Sequence, residues 1–451
     1  MLASVTPFRR RVGSLDQAVI AFRAARLNAC LSDLNGIESA AASTLRARAL
    51  LRLGNPSAAV AAVQHRDGEA FRDRAELALL RAVSYSRLGA AEQAREAFAD
   101  AHVYSISAAD LPLEAEVAFY QGLAALAESS FDDGRAACRR ALDVAKMPLP
   151  YTPAAGMVPL AHVVSRAHEL LGVIDAAQGR YREQMPHARA ALSTLDACAI
   201  RDVYQEAFSI RNLAILARDF DLDDASTVIG RADALAWTED ISGVKFTTVE
   251  ALGWCSALRG DPVAALRFFR TAADAASSVP ERVYVGAARS ILSRELNYGV
   301  MAAEELDHTL TLAAEFDWEE AAGDYRIALL FLAQAAAPIA PIGAREALDR
   351  YDKIRTRIDG RYAARVEVRV RAEETYTHGV ILQAEGRLDA SAERLRAAFE
   401  TWNSIGYEWR AARAALELAE LGAGDVFRLA VQRELRRRPE SVFANRARRV
   451  A

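Results

Sequence analysis

His168 and Glu169 stand side by side as in the zinc-binding helix pattern His-Glu-x-x-His, where two histidines one turn apart hold the metal and the glutamate activates a water. The pattern fails here, because Gly172 occupies the place of the second histidine. Asp219, Asp221 and Asp223 alternate as the first ligands of a calcium loop do. That loop then needs a glycine for its sharp turn and a closing glutamate, and the chain has Asp224 and Gly230 instead. The aspartates read as a capping turn, since Asp favours helix N-termini. The remaining histidines, His65, His102, His162, His187, His308 and His378, show no ligand spacing. There is no Gly-x-x-x-x-Gly-Lys-Ser/Thr phosphate cradle, no Gly-x-Gly-x-x-Gly turn and no Gly-x-Ser-x-Gly elbow. No cofactor, metal or catalytic residue is therefore expected, and an enzyme is the rival class rather than the leading one. It would require polar side chains converging with perturbed ionisation.

The composition sets the frame for what else the chain could be. At 451 residues it exceeds one ordinary core, so it divides into domains or grows as a solenoid. Hydrophobic residues make up 52% and charged residues 26%, the balance of a folded chain. With 24 glycines and 13 prolines, breakers are sparse and helix is favoured. The net charge of −4 gives no global attraction to nucleic acid. Cys30, Cys138, Cys198 and Cys255 are far apart with no Cys-x-x-Cys pair, so they read as small buried hydrophobes and not as a zinc or disulfide framework. The N-terminus lacks the apolar run of a signal peptide, and no uncharged stretch is long enough to cross a bilayer. The expected compartment is the cytoplasm.

The positive signal is self-similarity. A small residue is followed seven positions later by a turn residue, five later by another small residue, four later by an apolar one and three later by Ala. Copies run Ala82, Gly89, Ala94, Phe98, Ala101, then Gly253, Gly260, Ala265, Phe269, Ala272, then Gly122, Ser129, Gly134, Cys138, Ala141. Weaker copies are Gly172, Gly179, Gln184, Ala188, Ala191 and Gly379, Gly386, Ser391, Leu395, Ala398, with a partial one at Ala47, Gly54, Ala59, Val63. The turn residue suits the left-handed conformation that ends a helix. Asp261-Pro262 then supplies a capping acid and a first-turn proline. Small mid-helix residues let two antiparallel helices approach, and the apolar residue beyond them fills the gap.

With these residues the chain resembles the tetratricopeptide repeat family, most plainly at Leu171-Gly172, Leu252-Gly253, Tyr85 three after Ala82, and the Ala-x-x-x-Phe-x-x-Ala runs at 94–101 and 265–272. The likeness covers roughly residues 38 to 405. Turns at 54 and 89 are 35 apart and those at 129 and 179 are 50 apart, whereas the family's period is about 34. The resemblance is therefore to the long-helix repeats of bacterial signalling and transcription regulators. It implies an all-α solenoid of antiparallel helix pairs, a right-handed superhelix whose concave groove takes a protein or peptide. By the family's offsets, groove residues fall at Glu76 and Arg87, Glu116 and Phe119, Arg166 and Glu169, Glu250 and Trp254, and Glu373 and Tyr376. Such an acidic and aromatic groove suits a basic, partly apolar peptide.

The organisation expected from this is an N-terminal segment over 1–37 with one helix at 14–33, repeats over 38–405, and capping helices with an Arg-rich tail over 406–451. Helix pairs are expected at 38–65, 70–104, 112–146, 159–197, 200–237, 241–278, 280–316, 317–358 and 363–405; those turning near 220, 299 and 342 rest on spacing alone. The proline-rich stretches at 147–159 and Pro338–Gly343 read first as ordinary inter-helix loops, and either could instead mark a break between two sub-stacks. From Arg428 onward eight arginines face only Glu434 and Glu440. They read as a solvated capping face, or as a contact for nucleic acid or an acidic partner. The functional expectation is a cytoplasmic scaffold or signalling adaptor. The alternative is the effector-sensing arm of a transcription regulator whose DNA-binding domain lies elsewhere, because no helix-turn-helix follows residue 405.

Overall fold

A computed structural model describes residues 14–63, 70–147, 158–220, 222–234, 241–319, 327–362 and 368–451. Among them there are twenty-three α-helices, two short 3-10 turns and no strand. In chain order the helices are α1 (Leu15–Arg23), α2 (Leu27–Asp33), α3 (Ala40–Arg52), α4 (Pro56–Val63), α5 (Phe71–Arg87), α6 (Ala91–Ala108), α7 (Leu111–Ala127), α8 (Phe131–Val144), α9 (Leu160–Ala177), α10 (Gln184–Asp196), α11 (Val203–Asp219) and α12 (Ala225–Ala234). They continue with α13 (Ser242–Arg259), α14 (Pro262–Ala275), α15 (Val279–Glu295), α16 (Gly299–Glu315), α17 (Ile327–Ala336), α18 (Pro341–Tyr362), α19 (Val368–Ala384), α20 (Leu388–Ser404), α21 (Glu408–Glu420), α22 (Asp425–Arg437) and α23 (Ala444–Val450).

The chain sorts into two compact units. Unit 1 comprises Met1–Ile174, Pro186–Ser209 and Thr238–Ile241; unit 2 comprises Asp175–Met185, Ile210–Trp237 and Ser242–Ala451. Within unit 1 the close pairs are α3/α4, α5/α6 and α7/α8, and within unit 2 they are α13/α14, α15/α16, α17/α18, α19/α20 and α21/α22. The first helix of each pair is called its A helix below. Successive A helices also touch, α3 on α5 on α7 and α15 on α17 on α19.

The repeat pattern explains this local structure. All six of its turn residues, at 54, 89, 129, 179, 260 and 386, have φ between 62° and 84°. At Gly89 the chain closes as Gly89 N–H donates to Ser86 O at 3.2 Å and Ala90 N–H to Tyr85 O at 3.0 Å, which satisfies the last carbonyls of α5. The Asp261 side chain accepts from Ala264 N–H at 2.9 Å, as a capping residue should. Ser278 and Glu281 form a reciprocal capping box at the head of α15. A Cβ added at Gly379 would lie 2.7 Å from Leu395, so the small residue is what lets α19 and α20 meet.

One expectation needs correction. The single helix read over 14–33 is two, α1 and α2, split at Ala25, whose φ is +56°. The break lets Phe22, Leu27, Cys30 and Leu34 pack with Leu45 of α3 in one core, which a straight helix would spread over several faces. The tail after residue 438 ends in a short helix, α23. Pro338–Gly343 spans the short loop after α17 and the first turn of α18 within unit 2, the ordinary inter-helix connection. The other proline-rich stretch, 148–157, lies outside the described residues, and the positions where the chain passes between units fall later, from 174 to 242. No helix among the described residues is long and apolar enough to cross a membrane.

Candidate functional site

In unit 1 four residues expected in the groove converge. Arg48 of α3 donates both guanidinium ends to Glu116 of α7, at 2.7 and 2.9 Å. Arg166 of α9 donates to the same carboxylate at 3.0 Å and to Tyr120 Oη at 3.0 Å, with its guanidinium 4.9 Å from the Phe119 ring centroid. Glu76 of α5 lies 3.8 Å from Arg48 and 3.6 Å from Arg72, and Arg72 reaches Asp110 at 3.0 Å. Burial by itself would raise the Glu116 carboxyl, but Arg48 and Arg166 hold it down at about 2. Burial, helped by the charges of Glu116 and Asp110, leaves Glu76 above its ordinary value despite Arg48 and Arg72.

A second network runs across the A helices of unit 2. Arg218 of α11 bonds Asp219 at 2.9 and 3.0 Å and Glu250 of α13 at 3.1 Å, and Tyr284 of α15 donates to Glu250 at 2.8 Å. Gln334 of α17 donates to Glu373 at 2.8 Å and to Thr377 at 2.9 Å, and Arg410 of α21 pairs with Glu373. Tyr376 of α19 donates to Glu417 of α21 at 3.2 Å. Buried polar side chains thus link α11 to α13 and α15, and α17 to α19 and α21, largely through charge-assisted bonds.

The C-terminal segment folds back onto this same face of unit 2. Val442 N–H donates to Ala257 O at 2.9 Å, and the Glu440 backbone packs against Gly260. Arg446 is surrounded by carboxylates: Glu420 at 2.6 and 2.7 Å, Glu295 at 3.5 Å, and Glu417. Burial would raise Glu417, yet Arg446, Arg294 and Arg413 bring it below its ordinary value. Between α23 and the A helices α15, α17, α19 and α21 lies a cavity of about 450 Å³, with Gln334, Tyr376, Arg413 and Arg446 in its wall. Small-molecule sites span about 300 to 1,000 Å³, so the volume is within their range.

The architecture is now settled. The fold is a tetratricopeptide-like helical repeat. No protein-family model matches the chain, and no curated protein matches it. Solved structures similar to it include a Rap protein complexed with competence and sporulation factor, at 14% identity over 85% of this chain and 97% of that one, with a TM-score of 0.40. Another is the human IFIT1 dimer with PPP-AAAA, at 13% identity over 97% and 94%, TM-score 0.45. A third is aspartyl phosphate phosphatase F from Bacillus subtilis, at 12% identity over 100% and 96%, TM-score 0.29. At these values the fold rests on the chain's own helix pairs, turns and small-residue contacts.

The remaining groove expectations have different outcomes in this repeat. Arg87 donates to Leu51 O at 2.6 Å and so caps the end of α3. Glu169 accepts from Ser209 Oγ at 2.6 Å and from Gln205 at 3.2 Å, bonding α9 to α11. Trp254 is only 1% exposed, enclosed by Phe269 and Trp409, and so is a packing residue that a ligand in the groove does not reach. The glutamates at the shared offset, Glu76, Glu116 and Glu373, do not form an open acidic surface, because each faces a buried or half-buried arginine of the chain. Sequence reasoning missed two of those partners: Arg48 and Arg410 lie many positions away and match no motif offset. The C-terminal arginines read as solvated also divide, with Arg446 turned inward while Arg448 and Arg449 are exposed.

Chemistry also gathers where spacing did not announce it. Asp352 of α18 and Glu374 and His378 of α19 bring one ligand atom each to within 4.8 Å of one another, so these half-buried groups could hold a cation. Asp219 of the broken calcium pattern is committed to Arg218, and Asp221 lies outside the described residues. Cys198 and His162 are neighbours at 3.7 Å, but both donate to Ile200 O, at 3.3 and 2.8 Å. With its Nε2 proton spent on a carbonyl, His162 is not placed to take the thiol's proton through that nitrogen.

Proposed function

We propose that the chain is a protein-binding helical-repeat adaptor of the cytoplasm, with a regulatory or signalling role and no catalytic step of its own. One observation carries this reading: the A-helix face of unit 2 already holds an arginine-bearing, partly apolar segment, and that segment is the chain's own C-terminus. Arg446 sits among Glu295, Glu417 and Glu420 while Val442 and Phe443 pack beside it. A partner segment of the same chemistry would compete for these carboxylates, so the C-terminus acts as a resident occupant. Four unbridged cysteines, with burial pushing Cys30 up to about 11 and Cys138 up to about 12, fit a reducing compartment.

The test is affinity capture from the source cell with three full-length baits: wild type, Arg446→Ala, and the triple variant Glu295→Gln, Glu417→Gln, Glu420→Gln. Opening the face with Arg446→Ala should increase recovery of a specific partner, and the triple variant should lose it. Equal recovery with all three baits removes the A-helix face of unit 2 as the binding surface.

A further inference from the structure

Five arginines among the described residues are less than one-tenth exposed: Arg48, Arg218, Arg410, Arg413 and Arg438. Four of them are paired directly with a carboxylate, on Glu116, Asp219 and Glu250, Glu373, and Glu434. Arg413 is the exception. Its guanidinium lies 5.0 Å from the Tyr376 ring centroid and 5.7 Å from those of Trp409 and Phe443, an aromatic setting that holds the plane in one orientation. Nη2 donates a long bond of 3.3 Å to Gln334 Oε1, and Nη1 is buried with no acceptor. The nearby carboxylates, Glu373, Glu417 and Glu295, are each bonded to another arginine, namely Arg410, Arg446, and Arg294 with Arg446.

A buried guanidinium with unused donors is costly, and such groups are normally satisfied. Arg413 is 6% exposed and lines the 450 Å³ cavity, a space large enough for a small molecule. The ionic lining of that cavity is Arg294, Arg413, Arg446 and Arg449 against Glu295, Glu417 and Glu420, one positive charge in excess. Arg449 is exposed on α23, the helix that covers the cavity, and it pairs with no carboxylate among the described residues.

We propose that this cavity binds a small oxyanion-bearing molecule, a carboxylate or a phosphate ester, with Arg413 as the fork that receives the oxyanion and Arg449 as the second cation at the α23 side. A planar guanidinium with adjacent free N–H groups matches the paired oxygens of either group. The cavity's amides, Gln383 and Asn297 among them, would bond the rest of the ligand. The site needs no protein partner, so it holds or fails independently of the adaptor reading.

The experiment is a calorimetric and thermal-shift titration of the full chain at constant ionic strength. One arm uses acetate, pyruvate and glutamate; the other uses inorganic phosphate and glycerol 3-phosphate. The expected result is saturable one-to-one binding in one arm, which names the oxyanion. Arg413→Gln should weaken it by about tenfold or more, as loss of a charge-assisted fork does. Arg449→Gln changes an exposed side chain and leaves folding intact, so it reports even where the buried substitution unfolds unit 2; it should weaken binding by about threefold or more. The proposal is overturned if neither arm saturates below about 10 mM, or if both variants bind with wild-type affinity.

Discussion

Glu116 carries the densest ionic contact of unit 1, and its chemistry sets a pH dependence. Its folded-state value of about 2 lies below the ordinary 4.5, so it contributes stability that is present above about 4.5 and lost as pH falls toward 2. A difference of this size amounts to roughly 3 kcal/mol. Glu76 acts in the opposite sense: its raised carboxyl favours the folded state at low pH, and that contribution fades as pH rises through its folded value. The Glu116→Gln substitution leaves Arg48 buried beside Glu76 alone, which should cost on the order of 3 to 5 kcal/mol at neutral pH. It should also flatten the decline of unit 1 between pH 5 and pH 3. Urea midpoints at the two pH values, read by far-ultraviolet circular dichroism, check both effects. A variant that keeps the wild-type pH slope would show that the Arg48–Glu116–Arg166 cluster is not its source. At this scale the sequence was legible in part. The offset that selected Glu76, Glu116 and Glu373 did find polar positions facing a neighbouring A helix. It could not find their cations, because ion pairing across A helices follows three-dimensional stacking and leaves no fixed spacing along the chain.

The docking of the C-terminal segment depends on one turn. Gly260 has φ +84°, and a Cβ added there would sit 2.4 Å from the Glu440 carbonyl oxygen. Gly89 has nearly the same backbone, φ +75°, with open space around it. Alanine at either position strains a left-handed turn by about 1 to 2 kcal/mol. Only at 260 does it also push the 440 backbone away. Gly260→Ala should therefore make the peptide bond after Arg446 readily cut by trypsin, while Gly89→Ala should not; equal protection in both would mean that the segment is held without this contact. The turns themselves were plain in the sequence, since a left-handed residue between a small residue and a new helix is a local requirement. The break at Ala25 and helix α23 were not. Alanine carries no turn signal, and α23 is seven residues long and held by tertiary contacts with α21 and α22.

Trp254, Trp318, Trp402 and Trp409 belong to unit 2, so their indole fluorescence reports that unit while circular dichroism reports both. The conspicuous proline-rich stretch does not coincide with the division: the chain first passes between units inside α9, α10 and α11, where no loop separates the units. In stacked repeats stability is a sum of local terms and nearest-neighbour contacts, so a lesion is felt close to where it falls. Arg446→Ala strips the cation from Glu295, Glu417 and Glu420 and releases α23 from the face that also packs Trp409. It should lower the fluorescence midpoint in urea by an amount equivalent to about 3 kcal/mol, the usual cost of breaking a buried pair. Glu116→Gln in unit 1 should leave that midpoint in place while shifting an early component of the circular dichroism. The crossed pattern is the discriminating result. If each substitution moves both signals together, the chain unfolds as a single block, and the two compact units have no separate stabilities for a ligand or a partner to bias.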